Sequence, residues 1–260
     1  MAEKCSKKLK KFVDGIWHVC EIDTAHGLIE QHKTLQNMKK TLLIAAAALA
    51  ASVISSQAQV YSQNIVGYVN QSIGGNAAYT MLVAPLQTTN NVNNAEQLLP
   101  ALQPNDNILV FNGAGFDTYV FVTSGLWIGP AGPGPAPTIN AGSAFFYENN
   151  GSSTITNTYV GTVTLSNTVP FTGGAAYNLV GSTAPIGTDL ESTNLHLPLQ
   201  PNDNVLLFNG NGYDTYVFVT SGLWIGPAGP GPAPTVSVGQ GFFYEDNSGP
   251  TNWVQNLIIQ

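Results

Sequence analysis

One stretch of this chain occurs twice. LQPNDNILVFNGAGFDTYVFVTSGLWIGPAGPGPAPT begins at Leu102, and LQPNDNVLLFNGNGYDTYVFVTSGLWIGPAGPGPAPT begins at Leu199, 97 residues further on. Residues 117–138 are identical to residues 214–235. The likeness continues more loosely on both sides. Ala144-Phe145-Phe146-Tyr147-Glu148 answers Gly241-Phe242-Phe243-Tyr244-Glu245, and GGNAAYTMLVAP from Gly74 answers GGAAYNLVGSTAP from Gly173. VGYV at Val66 is also matched to VGTV at Val160. A chain built this way folds as two copies of one unit set side by side. The identity itself does not mark functional residues, because a recent duplication preserves every position alike.

Within a copy the local signals are β. Ile108-Leu109-Val110-Phe111 is a short apolar run, Asn112-Gly113-Ala114-Gly115 tolerates positive φ, and Thr118-Tyr119-Val120-Phe121-Val122 is all β-branched or aromatic. Two such runs around a glycine-containing loop predict a hairpin, with Tyr119 and Phe121 on one face and Val120 and Val122 on the other. The second copy predicts the same hairpin over 205–208 and 215–219. Further strands are expected at 144–147, 154–165 (with a break near Asn157), 242–244 and 253–259. One short helix is expected over 94–99, with a partner near 190–195. The proline-rich run from Gly129 to Pro137 reads as a stiff loop, because proline donates no backbone hydrogen bond. The expected fold class is all-β: two tandem homologous sandwich-like or barrel-like units, at 59–160 and 161–260, packed together or sharing a sheet.

Charge narrows the chemistry. Every Lys lies at or before Lys40 and there is no Arg, so from Gln59 onward the chain carries ten carboxylates and no Lys or Arg. Nucleic-acid binding depends on neutralising phosphates with such residues and is excluded as a partner class. Both cysteines, Cys5 and Cys20, precede residue 40, so the body has no disulfide or thiol chemistry.

Residues 38–58, MKKTLLIAAAALAASVISSQA, show a positive start, an apolar run and small residues before Gln59. This is the pattern of a secretory signal peptide, with an apolar run shorter than a membrane span needs. No transmembrane segment is expected after its removal. Residues 1–37 hold both cysteines and three of the four histidines, and are read as an upstream extension outside the fold. A metal site from Cys5, His18, Cys20 and His26 matches no zinc spacing. The expected location is secreted, periplasmic or at the cell surface.

The order of these motifs resembles a group of secreted bacterial repeat proteins to which no function is assigned. It is carried by a signal peptide, an opening like Asn64-Ile65-Val66-Gly67-Tyr68-Val69-Asn70, then "ND…FNGxG[FY]DTY", a Trp after the hairpin and "FFYE". The resemblance spans nearly all of 38–260. It implies export and β structure, and brings no catalytic residue.

Few residues are left for chemistry. His196 is the only histidine after Gln59, which leaves nucleophilic triads without raw material, and no cofactor is expected. The carboxylates Asp106, Asp117, Asp203 and Asp214 flank the hairpins. They could hold Ca²⁺ or act as a glycosidase pair, but turn-making explains them more simply. Trp127, Trp224, Tyr119 and Tyr216 are candidate platforms for sugar rings, set against a role in the core. Three functions stay open: a non-catalytic structural or adhesive protein, a carbohydrate-binding module, and a carboxylate-dependent hydrolase. The expected partners are polysaccharide or cell-envelope components. The exported protein should have the mass of a chain starting at Gln59, and trypsin should leave it intact even in urea. A tryptic fragment would mean that a basic segment is retained.

Overall fold

The computed structural model describes residues 65–88 and 93–257, all within one compact unit, Asn64–Gln260. The expected signal segment 38–58 and the extension 1–37 lie outside the described residues. The first copy contains β1 (Val66–Ile73), β2 (Ala78–Val83), the helical turn α1 (Ala95–Leu98), β3 (Asn107–Phe111), β4 (Phe116–Thr123), β5 (Leu126–Gly129), β6 (Gly132–Gly134), β7 (Ala144–Asn149) and β8 (Ile155–Thr162). The second contains β9 (Ser166–Phe171), β10 (Ala176–Gly181), β11 (Thr188–Asp189), β12 (Asn204–Phe208), β13 (Tyr213–Thr220), β14 (Leu223–Gly226), β15 (Gly229–Gly231), β16 (Thr235–Val236), β17 (Gly241–Asp246) and β18 (Thr251–Asn256).

Each copy makes a six-stranded antiparallel sheet and a separate two-stranded ribbon. The sheets run β2-β7-β3-β4-β5-β6 and β10-β17-β12-β13-β14-β15, and the ribbons are β1-β8 and β9-β18. The hairpins expected from the sequence form in identical register: Asn107 pairs with Val120 as Asn204 pairs with Val217. Both copies then shift register at the same bulge before β5 and β14. Among the described residues no strand of one copy joins the six-stranded sheet of the other, so the copies pack together rather than share a sheet. Among the described residues no helix is long and apolar enough to cross a membrane.

Three apolar layers result. Ile73, Ile108, Trp127, Phe145 and Tyr147 fill the space between the first ribbon and the first sheet. Phe171, Val205, Trp224, Phe242 and Trp253 do the same in the second copy. Between the two sheets lie Met81, Val83, Ala144 and Phe146 against Leu179 and Phe243. This explains the FFY runs. Strands β7 and β17 are covered on both faces, so alternation of apolar and polar residues gives way to a continuous apolar segment.

The two sheets meet around a pseudo-two-fold axis. Val83 N donates to Gly239 O at 2.9 Å, and Gly181 N donates to Gly142 O at 3.0 Å. Val83 corresponds to Gly181 and Gly142 to Gly239, so the contact is reciprocal, as in an isologous dimer. Small residues set the spacing at the axis. A Cβ on Gly181 would lie 2.5 Å from a methyl of Val83, and one on Gly241 would lie 2.5 Å from Cβ of Ala144.

Several expectations are corrected here. VGTV at Val160 is not the counterpart of VGYV: β8 pairs with β1, Tyr68 opposite Val160, and β9 occupies the place of β1 in the second copy. The first copy therefore extends through Thr162, past the boundary expected at 160. Strand β8 runs unbroken through Asn157, whose side chain turns inward and donates to Leu98 O at 3.0 Å. The start of the proline-rich run is a strand pair, because Gly129 opposite Gly132 closes a turn that leaves Pro133 facing Ile128. The helix at 94–99 forms, capped by Asn94. Its expected partner does not, because Leu190-Glu191-Ser192-Thr193-Asn194-Leu195 carries two extra residues and makes turns instead.

Gly181→Val should force the sheets apart at the axis. Its expected cost is about 1–3 kcal/mol, read as a lower urea midpoint. Gly115→Ala, where an added Cβ meets nothing, should change stability by less than ~0.5 kcal/mol. Equal effects would contradict the close approach.

Candidate functional site

The repeated carboxylates were the first candidates for chemistry, and each is held by neutral donors. Asp106 sits at the turn before β3 and is completely buried. It accepts Gln103 N at 2.8 Å, Asn150 N at 3.0 Å and the Tyr147 hydroxyl. Asp203 repeats this with Gln200 N at 2.7 Å, Asn247 N at 2.9 Å and the Tyr244 hydroxyl. The preceding Asn105 and Asn202 take φ of 73° and 75°, which asparagine tolerates. Their carbonyls accept the Asn150 and Asn247 side chains. Burial, reinforced by the neighbouring carboxylate, pushes the Tyr147 and Tyr244 phenols well above their ordinary range. Both phenols stay protonated as donors.

Asp117 and Asp214 have a different setting. Each accepts an asparagine side chain across the hairpin loop, from Asn112 and Asn209, at 3.0 Å. The same asparagines cap the loop by accepting Gly115 N and Gly212 N. Asp117 pairs with Val110, near the far end of β3 from Asp106, so the two are about 13 Å apart at the usual strand rise. That is too far to share an ion or to act as a glycosidase pair. Among the described residues no three His, Cys, Asp or Glu side chains are placed to hold a metal. Asp106, Asp117, Asp203 and Asp214 therefore hold turns and hairpin loops, as the simpler of the sequence readings expects, and their hydrogen bonds go to protein donors.

Of the two roles open to the tryptophans, the structure has them in the core. Trp127 and Trp224 are fully buried, because β5 and β14 aim them into the layer beneath the ribbon. Trp127 lies 5.1 Å from Phe121, centroid to centroid, and Trp224 lies 5.2 Å from Phe218. A ring without exposed surface cannot stack on a sugar. Their indole nitrogens donate at 2.8 Å to Glu96 and Glu191. Tyr119 and Tyr216 are half-buried, each ring lying against the backbone of a glycine: a Cβ on Gly129 would sit 2.7 Å from Tyr119, and one on Gly226 would sit 2.8 Å from Tyr216.

Glu96 and Glu191 were not candidates in the sequence, yet each ties three parts of its copy together. Glu96, in the first turn of α1, also accepts Gly125 N at 2.7 Å and the Ser124 hydroxyl at 3.0 Å. Glu191 accepts Gly222 N at 3.1 Å. Burial opposes ionisation of both. The bonds from Trp127, Gly125 and Ser124 outweigh it for Glu96, and those from Trp224, Gly222 and Ser221 for Glu191, so both carboxyls lie below their ordinary range. The available signal was a glutamate recurring ahead of each repeated Trp. The two-residue insertion in the second copy hides it.

Asp246 completes the set. It is buried, one oxygen accepts Ser248 N and its hydroxyl, and the other has no partner. The first copy has Asn149 at this place, which donates to Ser153 O at 2.9 Å. His196 is exposed in a turn with φ of 41°.

A cavity of about 420 Å³ opens between the copies. Asn70, Ser72, Tyr79, Phe208, Ser237 and Gln240 line it, and no charged side chain does. Gln71 closes one side by donating to Val238 O at 2.8 Å. At the corresponding place in the second copy stands Val169, packed against Gly142, so the copies have diverged at this junction. Comparison with protein-family models, with curated proteins and with solved structures finds no match.

Asp106→Ala should cost about 3 kcal/mol, because it strands one phenol and two amides. Asp117→Ala, at the start of β4 where its one side-chain bond to Asn112 is exposed to solvent, should cost under ~1 kcal/mol. Urea midpoints for the two variants check this, and a tolerant Asp106 would contradict its place as a structural hub.

Proposed function

We propose that this chain is an exported, non-catalytic structural or adhesive protein of the cell surface or envelope. One observation supports the reading most: the same carboxylates in both copies serve as acceptors for turns, strands and indoles. Asp106, Asp203, Glu96 and Glu191 hold the scaffold, and among the described residues no three His, Cys, Asp or Glu side chains gather in one place. Catalysis by paired carboxylates needs them free, at matched separation, on either side of a substrate. Export follows from the signal-like segment 38–58 and from the resemblance to secreted repeat proteins.

The uncharged cavity between the copies favours a second reading, a site for neutral polysaccharide. Amide and hydroxyl groups there stand beside Tyr79, which is 41% exposed. Recognition of this kind draws on hydrogen bonds and ring contact, so added salt should leave it unchanged.

One experiment addresses both. The processed protein is incubated with insoluble neutral and acidic polysaccharides, and retained protein and released reducing ends are measured together. The structural reading expects no release of reducing ends, and release by the wild type but not by an inactive variant would overturn it. Retention on a neutral polymer that Tyr79→Ala reduces at least tenfold, with the folding midpoint unchanged, supports the cavity as the contact. Retention unaffected by Tyr79→Ala excludes it.

A further inference from the structure

The outer strands of each sheet carry an apolar stripe on the face that packs the two copies together. Thr118 pairs with Leu109, which packs in the layer between the sheets, so both lie on that face. Two residues along β4 is Val120, and Val120 pairs with Ile128, which pairs in turn with Pro133. Leu126, two residues before Ile128, adds to the same side. Trp127 and Phe121 point the other way, into the layer under the ribbon. The layer between the sheets draws its first-copy members from β2, β3 and β7. At its border Phe116 of β4 reaches Phe243 at 6.4 Å. Beyond that point the face is uncovered: Ile128 is 46% exposed and Leu126 39%. The second copy repeats the stripe with Val217, Leu223, Ile225 and Pro230, and Ile225 is 47% exposed.

We propose that these two stripes join one molecule to further copies of itself. The claim rests on the structural reading above and says how such a scaffold is assembled. Three features select a second copy as the occupant. The stripe is continuous with a face that already packs on its own duplicate within the chain, so self-complementarity is built into the surface. The stripe bears no charged side chain, and no Lys or Arg follows Lys40, so no ion pair selects a charged partner. The two stripes are identical in sequence, since 117–138 equals 214–235. A stripe that fits itself therefore gives each molecule two equivalent joining surfaces. The join is face to face rather than edge to edge, because Pro133 and Pro230 sit at the centre of the edge strands β6 and β15 and remove the central donor. A molecule with two such surfaces extends into an open chain unless the geometry closes a ring.

Sedimentation of the processed protein over a range of concentrations tests this, with the wild type, Ile128→Lys, Ile225→Lys and the double variant. All four should fold with similar midpoints, because both positions are exposed. The wild type should grow past dimer as concentration rises, and more so in sodium sulfate. Each single variant should stop at dimer, and the double variant should stay monomeric. A wild type that is monomeric at every concentration overturns the proposal, as does a double variant that associates like the wild type. If the wild type is monomeric and either substitution lowers its folding midpoint, the chain's own preceding segment covers the stripe and the proposal falls. The structural reading is judged separately, by the absence of released reducing ends.

Discussion

The described residues of this chain must satisfy buried carboxylates without a single Lys or Arg among them. Burying a charge is costly unless its hydrogen-bonding capacity is met, and neutral donors hold Asp106 and Asp203, while Asp246 keeps one oxygen without a partner. Asp106 and Asp203 each gather two backbone amides and a phenol, which fixes the turn before the hairpin and the end of the central strand around one point. Glu96 and Glu191 gather an indole and a backbone amide, which ties the segment before the hairpin to the bulge after it. Trp127 and Trp224, two of the residues that look like binding platforms, are donors to Glu96 and Glu191 as well as core. Their burial follows from the same constraint.

A second level of order comes from packing copy on copy. Each sheet is covered by its ribbon on one side and by the other sheet on the other, so neither copy leaves a large apolar face in its centre. The pseudo-two-fold axis passes where Val83, Ala144, Gly181 and Gly241 meet, and the small residues there let the sheets approach. Sequence divergence gathers at this junction. Gln71 faces the loop at Gly239, while Val169 faces Gly142, and the cavity lined by Tyr79 and Gln240 lies on the Gln71 side. The nearly identical hairpins, by contrast, keep the same register and the same bulge.

Local signals were enough for the hairpins, because alternation and loop chemistry over a dozen residues decide them. The capped turn at Asn94 was legible for the same reason. What was not legible depends on long-range pairing. VGTV looks like VGYV because both are strands of one ribbon, yet β8 closes the first copy on itself instead of opening the second. The proline-rich run reads as loop from composition, but Gly129 and Gly132 allow a tight turn that admits an edge strand. The fate of Trp127 was undecidable in sequence, since a Trp beside Gly and Pro suits both a platform and a core. Only the register of β5 on β4 aims it inward. The role of Glu96 lies in contacts with residues about 30 positions away, which no local pattern carries.

Native-state hydrogen exchange tests the central claim most directly, that the buried carboxylates of both copies are held by internal neutral donors. The amides of Gln103, Asn150, Gln200 and Asn247 lie in turns outside the strands, yet each donates to Asp106 or Asp203. The account predicts that all four exchange as slowly as the amides of β3 and β12, and that protection of the first pair is lost in Asp106→Ala while the second pair keeps it. Exchange of these four amides at the rate of exposed loops in the wild type would contradict it.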